Sequence, residues 1–93
     1  MIKSFRDKET PIVFAGEMSR KFPPDIQDRA QNKLWILNAA ASLEDLKTPP
    51  SNRLHKLEKD RKGQWSISIN DQWRICFDWE GRDAYNVEIT DYH

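Results

Sequence analysis

Ninety-three residues, in which fifteen Lys and Arg balance fifteen Asp and Glu, leave room for one domain with a single modest core and supply no net charge to argue for nucleic-acid binding. The single cysteine, Cys76, excludes an internal disulfide, no apolar run nears the roughly 18 residues of a membrane span, and MIKSFRDKE lacks the apolar region of a secretory signal. The expectation is a soluble protein of a reducing cytoplasm, with no membrane association, whose four Trp, four Phe and two Tyr furnish the large buried areas a small core needs.

Met1 to Phe5 reads as a short strand and Asp7 to Gly16 as a first helix, with Pro11 in its early turn and Ile12, Val13 and Phe14 as its apolar residues. Pro23-Pro24-Asp25 opens a second helix, in which Ile26, Ala30, Leu34, Leu37 and Ala41 recur at helical spacing and form one core stripe. Ser42-Leu43-Glu44-Asp45 matches a capping box opening a further helical turn, which Pro49-Pro50 stops. RLHKLEK, residues 53 to 59, reads as a strand in which simple alternation fails. Pairing Leu57 with Trp65 would put His55 on the apolar face as a core histidine, whereas a bulge would put it beside Arg74, and the residues alone leave both open.

Three alternating runs follow. Trp65, Ile67 and Ile69; Trp73, Ile75, Phe77 and Trp79; and Tyr85, Val87 and Ile89 each give a strand one apolar face. If apolar must oppose apolar, Ile69 pairs with Trp73 across Asn70-Asp71-Gln72, Trp79 pairs with Tyr85, Phe77 faces Val87 and Ile75 faces Ile89. The same register sets Arg74 between Ser68 and Thr90 with Tyr92 one diagonal step away, on the face that the helices leave uncovered. Asp91 and His93 fall on the other parity, at the rim. Cys76 is expected to be a small packing residue.

The chemistry-bearing residues gather late in the chain. Between Lys47 and Gln64 the basic residues Lys47, Arg53, Lys56, Lys59, Arg61 and Lys62 outweigh Glu58 and Asp60, and such a local field acts at contact distance even on a neutral protein. Arg74 has the guanidinium fork that clamps a phosphate, or pairs with Asp78 or Asp91. His93, beside its own α-carboxylate, is expected to titrate near or somewhat above the reference of about 6.5, a range suited to a general acid or base. Two histidines and one cysteine are too few and too scattered for a metal site, and three glycines form no phosphate loop; no metal and no cofactor is expected. Metal-free RNA cleavage needs a base for the 2′-hydroxyl, an acid for the leaving 5′-oxygen and a cation for the charge on phosphorus, and His, Tyr or a second His, and Arg can supply all three.

MIKSF at the start, RLHKLEKDRKGQWSISIN in the middle, NDQWRICF after it and the final DYH together resemble the HigB family of plasmid-maintenance-type toxins, relatives of the RelE toxins. The likeness runs end to end and is strongest from Arg53 onward. It implies an α+β fold: a RelE-like compact antiparallel sheet with two N-terminal helices on one face, in a single domain spanning 1–93. It also implies an endonuclease that cleaves mRNA in the ribosomal A site, held inactive by a HigA-like helix-turn-helix antitoxin through which the pair reaches its operator DNA. By matching position, His55 and His93 would be the catalytic imidazoles, Asp91 would orient or tune them, Tyr92 would position substrate or share proton transfer, and Arg74 would stabilise phosphate. The match favours the bulged placement of His55. Arg53, Lys56, Lys59, Arg61, Lys62, Asn70 and Gln72 would hold RNA or ribosome.

Two departures from the family pattern stand out. Relatives are commonly strongly basic, whereas this chain is neutral, with Glu58 and Asn70 where some relatives carry basic residues; milder toxicity or a changed codon preference is expected. The rival class is a noncatalytic module that binds RNA or protein and serves as a transcriptional co-repressor.

Overall fold

The computed structural model describes residues 1–61 and 63–91, Lys59 by its backbone alone. Among them, a four-stranded antiparallel sheet lies in the order β1 (His55–Lys56), β2 (Trp65–Ser68), β3 (Trp73–Glu80) and β4 (Asp83–Asp91). Two helices, α1 (Thr10–Phe14) and α2 (Pro24–Ala39), pack on one face of it, so the α+β architecture is the one expected. Each strand lies beside its chain neighbour, which local turns achieve for antiparallel pairs without a crossover.

Helix α2 supplies the apolar stripe. Pro24 starts it, where a missing N–H costs nothing, and Ile26, Ala30, Leu34 and Leu37 are buried against the sheet. Each fully buried Leu contributes about 1.5–3 kcal/mol. Ala41 departs from the expected stripe: the helix ends at Ala39, Ala40 takes the buried position in an extended conformation, and Ala41 is exposed. The reason is the capping box, which forms as expected at Ser42 and Asp45 and draws the Ala41 amide onto the Asp45 carboxylate. Buried Gln27 ties the preceding loop to α2, accepting from the Ser19 amide and donating to the Ser19 and Phe22 carbonyls.

Helix α1 is shorter than Asp7 to Gly16. Asp7 accepts from the Thr10 amide in place of being helical, and Gly16, at a φ of +88°, turns the chain away. Thr10 Oγ1 accepts from the Ile89 amide at 3.0 Å, which pins the helix start to β4. The N-terminal segment runs parallel to β4 through two isolated bridges, Ile2 to Ala84 and Phe5 to Val87, and is not a continuous strand.

The register between β3 and β4 departs from the expected one at its far end. Ile67 opposes Ile75, and Ile75 opposes Ile89, as the alternation predicts, but a bulge follows: Asp78 opposes Tyr85 and Trp79 opposes Ala84, where Trp79 against Tyr85 was expected. Asn86 sits in the left-handed region at a φ of 55°, a conformation Asn tolerates better than most residues. The extra residue turns Ala84 into the core and leaves Tyr85 half-buried.

Candidate active site

Alternation gives the sheet two faces. Trp65, Ile67, Ile75 and Ile89 meet the helices, while His55, Ser66, Ser68, Arg74, Cys76, Glu88 and Thr90 share the other side by their pairings. Arg74 stands between Ser68 and Thr90, the predicted register, and is half-buried. Its Nη1 donates to Ser66 Oγ at 3.2 Å.

His55 resolves the open alternatives in an unforeseen way. Lys56, not Leu57, opposes Trp65, and His55 opposes Ser66, so a one-residue slip in register, without a bulge, brings the imidazole to the Arg74 face. His55 is exposed and is not a core histidine. Ser66 therefore stands between two of the candidate residues, across the strand pair from His55 and hydrogen-bonded to Arg74. A buried hydroxyl that accepts from a guanidinium restricts its rotamers.

The remaining candidates are dispersed. Asp91 opposes Trp73 at the exposed rim, on the parity of the helix-facing residues, and its Oδ2 accepts from Gln72 Nε2 at 3.2 Å. Tyr92, His93 and Lys62 lie outside the described residues. Arg53 forms an exposed ion pair with Asp71 at 3.5 Å, and Lys56 lies over the Trp65 ring, on the side away from His55. Asn70 shapes the β2–β3 turn, its side-chain oxygen accepting from the Gln72 and Trp73 amides. Lys59 opens a short turn of helix, Lys59–Arg61, in the loop that leads from β1 to β2. Among the described residues no group of three His, Cys, Asp or Glu converges as metal ligands would.

Arg61 is not a loose cation. Its Nη2 meets Glu88 Oε1 at 2.8 Å and its Nη1 meets Gln64 Oε1 at 3.2 Å, and the bond to Glu88 raises its pKa further above the ordinary arginine value. Glu88 also meets Arg6 at 3.2 Å and accepts from the Thr90 hydroxyl at 3.1 Å. Glu88 is not among the site residues that the sequence singled out. Its place between buried Val87 and Ile89 was the signal, since alternation puts it on the Arg74 side. Beneath it, Cys76 is 3% exposed, and burial pushes its thiol up, against a lowering by the bond to Thr90.

Comparison with known proteins agrees with this architecture. A family model described as RelE-like toxin of type II toxin-antitoxin system HigB matches residues 3–93. The chain is 34% identical over 93 residues to the Endoribonuclease HigB of Proteus vulgaris, covering 100% of both chains. It is 37% identical over 90 residues to Toxin HigB-1 of Vibrio cholerae serotype O1, covering 96% of this chain and 95% of the relative. The crystal structure of YafQ from E. coli strain BL21(DE3) superimposes with a TM-score of 0.56 at 11% identity, over 98% of this chain and 93% of that one, a likeness of fold. The chain belongs to the HigB family of RelE-like toxins of type II toxin-antitoxin systems.

Proposed function

We propose that this toxin is a metal-independent endoribonuclease that cleaves mRNA in the ribosomal A site, stops translation and growth, and is neutralised by a HigA-like helix-turn-helix antitoxin. Operator DNA is then reached only through that antitoxin, and the setting is the cytoplasm. The observation that carries the reading is the Ser66 junction: an exposed imidazole, His55, and a phosphate-seeking guanidinium, Arg74, on one helix-free face with a shared polar neighbour. The name of the Proteus vulgaris relative supports RNA as substrate.

In the reaction, a base takes the proton of a 2′-hydroxyl as that oxygen bonds to the adjacent phosphorus. The bond from phosphorus to the 5′-oxygen breaks, and an acid gives that oxygen a proton, leaving a 2′,3′-cyclic phosphate and a 5′-hydroxyl. His55 and His93 serve as the two proton carriers, Asp91 orients the terminal imidazole, and Tyr92 positions the substrate. Arg74 neutralises the charge that grows on the phosphoryl oxygens, a contribution whose removal typically costs about a hundred- to a thousandfold in rate. The basic residues Arg53, Lys56, Lys59 and Lys62, with Asn70 and Gln72, hold the RNA backbone or ribosome, while Arg61 braces the loop.

Mapping of new 5′ ends tests this, in a translating bacterial extract and on the same mRNA without ribosomes. Cuts in frame with codons, seen only during translation and lost with Arg74→Ala, are expected. Equal cutting of naked mRNA would remove the ribosome from the proposal, and no cutting in either sample would favour the noncatalytic co-repressor.

A further inference from the structure

A second cationic site lies on the helix side of the molecule. A cleft of about 390 Å³ is lined by Arg29, Asn32, Lys33, Ile36, Pro49, Ser51 and Ile69, without a carboxylate. Lys33, on α2, is 6% exposed, and its Nζ donates to Asn52 Oδ1 at 2.6 Å and to Ser51 Oγ at 3.1 Å. An ammonium has three donors, and both acceptors are neutral. Asn52 is itself fully buried and holds the Leu46 and Thr48 carbonyls with its amide, so the lysine's two partners are fixed in place.

Arg29, one turn earlier on the same helix, donates from Nη1 to the Ile69 carbonyl at 3.4 Å. Neither cation forms an ion pair among the described residues. Burial first, and the neighbouring Arg29 second, lower the Lys33 pKa. A buried ammonium without a counter-charge is an expensive arrangement, and two cations facing one open cleft disfavour each other until an anion enters. A structural pin for the Leu46–Asn52 segment would need only Lys33, and Arg29, exposed beside it, adds a second cation to the same cleft.

The position selects the anion. Ser51 and Asn52 continue through Arg53 into His55, three residues beyond Asn52. On the other wall, Ile69 donates its amide to Trp73, the neighbour of Arg74. Both walls of the cleft thus continue within a few residues into the strands that carry His55 and Arg74. We infer that the cleft formed by Arg29, Lys33 and Ser51 is a second phosphate site, which holds a backbone phosphate of bound RNA outside the nucleotide at Arg74. The choice of RNA rests on the ribonuclease function proposed above.

The test is a titration of the full chain, followed by amide and arginine side-chain NMR, with inorganic phosphate and separately with a short 2′-O-methyl RNA that cannot be cleaved. Both ligands should shift the Ser51, Asn52 and Ile69 amides and compete with each other. Arg29→Gln should weaken RNA binding about tenfold, as loss of a charge-assisted contact does, and make the log–log salt slope shallower by about 0.7, the value for one contact to a single strand. Lys3→Gln, at an exposed position elsewhere, should change neither. Lys33→Met should abolish the phosphate shifts; if it unfolds the chain, Arg29→Gln decides alone.

Unchanged RNA affinity and slope in Arg29→Gln would overturn the inference. Saturation by phosphate that RNA cannot displace would make it a small-anion site and refute the RNA assignment. Weakened antitoxin binding at unchanged RNA affinity would assign the cleft to a carboxylate of the protein partner, again refuting it. Because every readout is binding of an uncleavable ligand, an absence of cleavage on ribosomes would count against the proposed activity and not against this site.

Discussion

Cys76 sits under the face that carries His55 and Arg74, opposite both Ser66 and Glu88, and its burial has a measurable consequence. Its folded pKa is raised above the ordinary value of 9.0, chiefly by desolvation, so the folded chain holds that proton more tightly than the unfolded chain does. The resulting stabilisation is fully present below the unfolded pKa and is lost as pH rises through the folded one. The stability difference between wild type and Cys76→Ala, measured by urea unfolding, should therefore begin to shrink as pH rises through about 9.0, the ordinary value. Native alkylation by iodoacetamide near pH 8 should be far slower than in urea, because the thiolate is the nucleophile. Equal alkylation rates in the two states would show that the thiol is not shielded. The residue scale also marks where sequence reading stopped. Arg74 was legible because its strand has unambiguous alternation. Lys33 was not, although its place three residues after Ala30 and four before Leu37 puts it on the buried stripe, because a lysine is assumed to point outward.

At the scale of elements, the β2–β3 register and the near half of β3–β4 follow from matching apolar faces, since a one-residue slip would expose the whole core set. The far half did not follow, because the bulge at Asn86 arises from local backbone conformation, on which a period-two pattern is silent. The register of β1 was hidden for another reason: two residues of strand carry too little pattern to fix a register, and the loop after it does the fixing. That loop returns through backbone bonds from Leu57 to Gln64 and from Gln64 to Arg61, and Arg61 is held by Glu88 on β4. Glu88 thus braces the segment that carries Lys59 onto the sheet. Glu88→Gln should destabilise the fold by about 1.5–3 kcal/mol, the range for losing a hydrogen bond to a charged group, and Arg61→Ala should act similarly. Hydrogen exchange at the Leu57 and Gln64 amides should quicken in both variants, and cleavage should fall while the β3–β4 amides stay protected. Unchanged exchange at those two amides would mean that the loop holds itself.

For the molecule as a whole, zero net charge and a proposed RNA substrate look incompatible until size is considered. The principal extents are 31 × 26 × 24 Å, and even the shortest is about three Debye lengths at physiological salt, where each is about 8 Å. Charges at the far end of the sheet, such as exposed Glu80 at the end of β3, are therefore screened from Arg74 and from the Arg29 cleft. RNA should respond to the local cations, not to the sum. If about three phosphates are engaged, the log–log salt dependence of binding to single-stranded RNA should have a slope near −2, a loss of roughly twentyfold between about 50 and 200 mM salt. Glu80→Gln raises the net charge to +1 yet should change affinity by less than about twofold, because its field decays before reaching either phosphate site. Arg53→Gln, at the approach to His55, should make the slope shallower by about 0.7 despite changing the net charge by a single unit. Fluorescence anisotropy with an uncleavable RNA across a salt series measures both. A larger gain from Glu80→Gln than the loss from Arg53→Gln would show that net charge governs binding.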